Sequence, residues 1–283
     1  MGVQDRDYYR DDPRRHPYGV GVGGPGVGST VGSMKWWSVT TWLIVINIAV
    51  FVIDGLLAAA NISYVRLVSY QGQVIGVPMG FIERWGYFSV DTAIYGLQIW
   101  RWISFQFLHA GLGHIFGNML GLYFFGPLIE AELGRRRFLA FYLICGICGP
   151  LVYCAFAFTG FLETTAATPL VGASAGVFGI LIAAALTAPD IQVMLLFPPI
   201  PMKLRMLAWV LIGIAAFTVF SEGYNAGGEA AHLGGAAAGF LLIRNPRWLN
   251  WAEPDWLRTK LRSRRLPDDD SSGKSNMKYR GWR

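Results

Sequence analysis

The feature that most constrains this chain is a series of apolar runs. A bilayer core of about 30 Å is crossed by roughly 20 apolar residues in a helix. Six segments stand out, at 36–60, 114–133, 138–161, 171–188, 204–220 and 230–243. The sixth is short and rich in Gly and Ala, which reads as a helix buried among others. Only 15% of residues are charged, against about 25% in soluble domains. The expected fold class is therefore all-α, a polytopic membrane bundle of six transmembrane helices.

The position of the charge orients that bundle. Eleven of the 24 Lys and Arg lie from Arg244 onward. A basic stretch beside a membrane helix marks the cytoplasmic side, so nucleic acid is not expected as a partner. Arg135, Arg136 and Arg137 stand between segments two and three, and Lys203 and Arg205 between four and five. The short loops 162–170 and 221–229 hold no Lys or Arg. The positive-inside rule then places both termini in the cytoplasm. Residues 1–33 read as a disordered tail, 34–244 as the membrane domain, and 245–283 as a basic, partly disordered tail. The first loop, 61–101, is apolar and aromatic and reads as half-sunk in the interface. Cys145, Cys148 and Cys154 share one apolar segment without further ligands nearby, so they read as packing residues and no metal site is expected.

Polar residues inside membrane spans are costly and mark function. Three stretches carry them. His109-Ala-Gly-Leu-Gly-His114-Ile-Phe-Gly-Asn118 puts His114 and Asn118 on one helical face. Gly172-Ala-Ser174-Ala175-Gly176 puts Ser174 at the start of segment four, where free N–H groups and the helix dipole favour negative charge. Gly172, Gly176 and Gly179 are expected on one face of that helix. Ala231-His232-Leu-Gly234-Gly235 puts His232 in the first turn of segment six, with Gly235 and Gly239 forming a close-packing face. By the topology above, segments two, four and six run the same way. Ser174, His232, His114 and Asn118 therefore come to one depth near the outer side. A Ser hydroxyl beside a His imidazole is the minimum for nucleophilic catalysis. Glu229 stands three residues before His232, at the edge of a loop, and no carboxylate is expected to complete a triad. The stripe Phe116, Leu120, Tyr123, Phe124 reads as packing, and His109 as a loop or gating residue.

These motifs, in this order, resemble the rhomboid intramembrane proteases over about residues 36–243. The Trp100-Arg101 pair of the first loop belongs to the same pattern. The resemblance implies a Ser–His dyad, Ser174 and His232, that cuts substrate transmembrane segments near their outer end. It implies oxyanion stabilisation by His114, Asn118 and the Ser174 N–H. It also implies that Phe178 packs on the catalytic His and that Glu130 is structural. No cofactor is implied. The partners would be transmembrane substrates and the lipid bilayer, and the membrane a bacterial plasma membrane. One departure is Ala175, where the family pattern has Gly. It is read as a tolerated variant whose methyl presses on the nucleophile turn or on the approach to segment six. Two other classes compete. A non-catalytic binder of membrane helices would not need the dyad. A channel would need a polar path along its whole length, and here the polar residues sit at one end.

Overall fold

A computed structural model of the chain describes residues 37–70, 73–162, 165–195 and 199–253. The reading of 1–33 as a tail, and of most of 245–283, lies outside them. Helix α1 (Val39–Ala59) opens with Ser38, whose side chain accepts from the Thr41 N–H at 3.0 Å. Its other free amides are met from elsewhere in the chain. The Glu130 carboxylate accepts from the Val39 and Thr40 N–H groups at 2.8 Å each, and from the Thr40 hydroxyl at 2.7 Å. A buried acid at the positive end of a helix satisfies orphan donors and the dipole together. Glu130 is thus structural, as the resemblance implied.

The first loop has more structure than its composition announced. Strands β1 (Ser63–Tyr70) and β2 (Gln73–Gly80) pair antiparallel, from Ser63 opposite Gly80 to Tyr70 opposite Gln73. Helix α2 (Phe81–Gly86) follows. It is capped by Asp54 of α1, which accepts from the Ile82 and Glu83 amides. A π-helical turn at Val90–Tyr95, helix α3 (Arg101–Ser104) and a 3-10 turn at Phe105–Phe107 complete the loop. Arg101 is only 1% exposed. Its guanidinium donates to the carbonyls of Tyr87 and Arg84 and to Gln98 Oε1. A buried charge needs such partners to be tolerated, and here they gather three turns of the loop around one side chain.

The bundle continues with α4 (Leu112–Leu133), α5 (Arg135–Phe158), α6 (Ser174–Thr187), a small hairpin of β3 (Gln192–Met194) and β4 (Pro201–Lys203), α7 (Leu204–Phe220) and α8 (Ala226–Arg244). Among the described residues, α1, α4 and α5 are long and apolar enough to cross a membrane alone. Helix α6 has 14 residues and rises about 21 Å, and most of it is buried. The core runs through Leu122, Phe138, Phe141, Tyr142 and Ile180. A 3-10 helix at Pro246–Ala252 extends the packed region past Arg244, with Leu249 fully buried.

Helix α8 lies against α6 through glycine. A Cβ built at Gly235 would fall on the Ala175 carbonyl, and one at Gly239 on the Gly179 backbone. The close-packing face expected of Gly235 and Gly239 is therefore present. Of the expected single face of Gly172, Gly176 and Gly179, the last two share a side toward α5. Gly172 precedes α6, Gly176 meets the Tyr142 ring of α5, and Gly179 meets Cys145 of α5 and the Gly235 carbonyl of α8. Small residues on that side of α6 let α5 approach, and Gly179 admits α8 as well. The expected packing stripe on α4 also turns outward, with Phe116, Tyr123 and Phe124 each more than half exposed. In a membrane protein that is the lipid-facing surface, where large apolar residues belong.

Candidate active site

The N-terminal ends of α4, α6 and α8 converge. Their meeting point is built from the first loop inward. Phe88 and Leu170 exchange two backbone hydrogen bonds at 3.0 and 2.7 Å, and the Gly172 N–H donates to the Phe105 carbonyl at 2.9 Å. The loop thereby fixes the chain that enters α6. Gly172 has φ of +129°, a region open to glycine and strained for other residues. A Cβ there would lie 2.7 Å from His114 Cε1 and Nε2, and 3.4 Å from Ser174 Oγ. Gly172 is thus required twice, by its backbone and by the His114 ring pressed against it.

Ser174 is the first residue of α6, with its hydroxyl half-buried at the helix N-terminus. Four residues on, the Phe178 ring stacks on the His232 imidazole, with centroids 4.3 Å apart and planes 12° apart. That contact packs the His232 ring on α6, one turn along from Ser174. Among the described residues no hydrogen bond joins Ser174 Oγ to His232. Catalytic hydrogen bonds are often long in the absence of substrate and tighten with it.

His114 accepts from the Ala110 N–H at Nδ1, at 3.4 Å. That assigns its proton to Nε2, the nitrogen beside Gly172. Asn118 is buried, and its amide donates to the His114 carbonyl at 3.1 Å. That bond ties its side chain to its own helix. Trp100 and Arg101 stay in the first loop, where Trp100 Nε1 donates to the Trp85 carbonyl at 3.0 Å. His109 stacks edge-on against His114 with centroids 5.1 Å apart. Both its ring nitrogens are buried without a hydrogen-bond partner among the described residues. Burial, and then the neighbouring His114, push its pKa down to about 3.

Ala175 turns out to be accommodated. Its carbonyl faces Gly235, but its methyl points the other way, toward Gly149 of α5, where a Cβ would come within 2.7 Å of it. The expected pressure on the turn or on α8 is thus taken up by a glycine on a third helix. The sequence reading also missed a partner of His232. Glu229 lies inside the first turn of α8, not at a loop edge. Its Oε2 is 2.8 Å from His232 Nδ1. The i, i+3 spacing on one helix was the available signal.

The family model of the rhomboid domain matches residues 96–245, which include all three polar stretches. The chain belongs to the rhomboid family. RHOMBOID-like protein 7 of Arabidopsis thaliana is 28% identical over 54% of this chain and 50% of its own length. RHOMBOID-like protein 1 of the same plant is 30% identical over 57% of this chain and 38% of its own length. Inactive RHOMBOID-like protein 8, also from Arabidopsis thaliana, is 31% identical over 29% of this chain and 23% of its own length. This rhomboid chain therefore spans half or less of those relatives. With its apolar helices, the family makes it an integral membrane protein. The expectation of a bacterial membrane has no support in these plant relatives.

Proposed function

We propose that the chain is an intramembrane serine endopeptidase, cleaving transmembrane segments of membrane proteins near their outer end. The observation that carries the reading is the Phe178–His232 stack, which holds an imidazole over the helix turn that begins with Ser174. In this mechanism Ser174 Oγ attacks a peptide carbonyl while its proton passes to His232 Nε2. The carbonyl π pair moves to oxygen. The oxyanion lies at the α6 N-terminus, where the Ser174 N–H and His114 Nε2–H are its donors. Removing one such donor costs about 10²–10³ in kcat. Asn118 joins them if its amide leaves the His114 carbonyl. The tetrahedral intermediate collapses, the C–N bond breaks, and His232 gives its proton to the leaving amine. Water then hydrolyses the acyl-enzyme by the same steps, with His232 as base. Phe178 and Gly172 hold this geometry, and Trp100 and Arg101 hold the loop that supports it.

We further read six spans with both termini cytoplasmic and the first loop in the interface. In support, α4, α6 and α8 have their N-terminal ends together at the site, and the basic residues flank the opposite ends.

A second reading is a non-catalytic rhomboid that binds membrane helices. The open Ser174–His232 contact favours it, and one similar chain is named inactive. Labelling of the purified, detergent-solubilised protein with a fluorophosphonate separates the two. Expected is labelling of the parent that Ser174→Ala abolishes and His232→Ala reduces by at least about 10²-fold. Equal background labelling of all three folded proteins would overturn the protease reading and leave the binder.

A further inference from the structure

We propose that Glu229 is the third member of the catalytic constellation, so that this chain works with a Ser174–His232–Glu229 triad where a dyad was expected. The inference rests on the protease reading above. An acidic residue in the first turn of a helix is favoured by the dipole whatever else it does, so its presence alone assigns nothing. The contact does. Glu229 Oε2 stands 2.8 Å from His232 Nδ1, with the two side chains 21% and 15% exposed. At that distance and shielding the pair is a directed hydrogen bond, and the carboxylate can only accept. Nδ1 therefore carries the hydrogen, and Nε2 is left as the free base on the other side of the ring.

Three features on two helices now fix one imidazole. Phe178 of α6 sets its plane, Glu229 sets its tautomer, and the α8 backbone sets its height. The proton balance is unchanged by the third member. Ser174 gives its proton to Nε2, and the leaving amine receives it. Nδ1–H stays on His232, and Glu229 stays a carboxylate throughout. Its contribution is orientation, and attraction for the imidazolium that exists only between the two transfers. An interaction present only in the transition state lowers kcat when removed and leaves KM alone.

The test compares the parent with Glu229→Ala and Glu229→Gln in detergent, using a fluorogenic transmembrane-peptide substrate and the fluorophosphonate probe. Expected is a fall in kcat of about 10–10³-fold in Glu229→Ala with KM within twofold. Glu229→Gln should lie between, because its amide oxygen still accepts from Nδ1–H but carries no charge. Equal kcat in all three overturns the positioning role and leaves the protease reading standing. A parent that shows no Ser174-dependent labelling overturns the protease reading, and the catalytic role of Glu229 with it. A second measurement addresses the bond without using activity. The chain has 4 histidines, so 15N-histidine spectra can be assigned with His232→Ala. A His232 Nδ1–H resonance that vanishes in Glu229→Ala supports the bond. A His232 protonated at Nε2 in the parent overturns it.

Discussion

At the scale of single residues, burial and hydrogen bonding decide which polar groups are tools and which are fixtures. His109 illustrates the fixtures. It lines a cavity of about 170 Å³ with Val50, Asp54 and Glu83, and neither ring nitrogen finds a partner. With its pKa near 3 in the folded protein and about 6.5 when unfolded, the unfolded chain binds one more proton in between. Stability is thus full above about pH 6.5 and is lost as pH falls toward 3, by up to about 1.4 kcal/mol per pH unit. His109→Phe keeps a ring against His114 and removes the titration. Its melting temperature in detergent should fall less steeply than the parent's between pH 6.5 and 4. Parallel curves would show that His109 is protonated in the folded protein after all. The other site residues divide by how local their signals are. Ser174, Phe178 and His232 were legible because motif and helical spacing place them. Glu229 was lost because its position relative to the helix start decided its role. Asn118 was read as an oxyanion donor, and in the structure its amide donates to the His114 carbonyl one turn back on its own helix.

At the scale of elements, the apolar segments located every long helix, to within a few residues at most ends, because a span long enough for a bilayer is a strong signal. The first-loop hairpin and its short helices were not legible. The short helices are held by distant groups, Asp54 on α1 for the cap of α2 and Arg101 for the turns around it. Helix contacts were half legible. The sequence showed which residues are small but not which neighbour each one meets. Gly149 and Ala175 make that concrete, since the methyl on α6 occupies the space that glycine leaves on α5. Gly149→Ala should destabilise the protein by about 1–3 kcal/mol through overpacking. Ala175→Gly should cost about 1 kcal/mol through helix propensity. The double variant should be less impaired than the sum, by about 1 kcal/mol, because each change makes room for the other. The rescue should be partial, since the Ala231 carbonyl lies 3.0 Å from the same Cβ position. Thermal unfolding of the four proteins in one detergent closes the cycle. Strict additivity would mean that α5 and α6 do not meet at this pair.

At the scale of the whole molecule, the basic residues that follow α4 and α6 lie away from the site, while Arg84 and Arg101 stay in the first loop beside it. Helix α4 starts beside the site and rises about 33 Å before the turn that leads to Arg135, Arg136 and Arg137. Arg137 pairs with Glu253 at 3.3 Å, so the end of the described chain returns to that same far side. Asp190 pairs there with Lys203 and Arg205, at 2.9 and 3.4 Å, below α6. The positive-inside rule is the ground on which the orientation proposed above puts this end in the cytoplasm and the site outside. The claim can be tested without reference to catalysis. In a variant with Cys145, Cys148 and Cys154 changed to Ala, a single cysteine at Glu222 should react with a membrane-impermeant maleimide on intact cells. One at Asp190 should react only after the membrane is opened. Both positions are exposed, so silence at either reports the membrane and not burial. The reverse pattern would invert the protein, and the cut would then fall at the cytoplasmic end of the substrate helix. Labelling of both from outside would mean that the polypeptide between α6 and α8 does not cross the bilayer as read, since α7 alone separates the two sites.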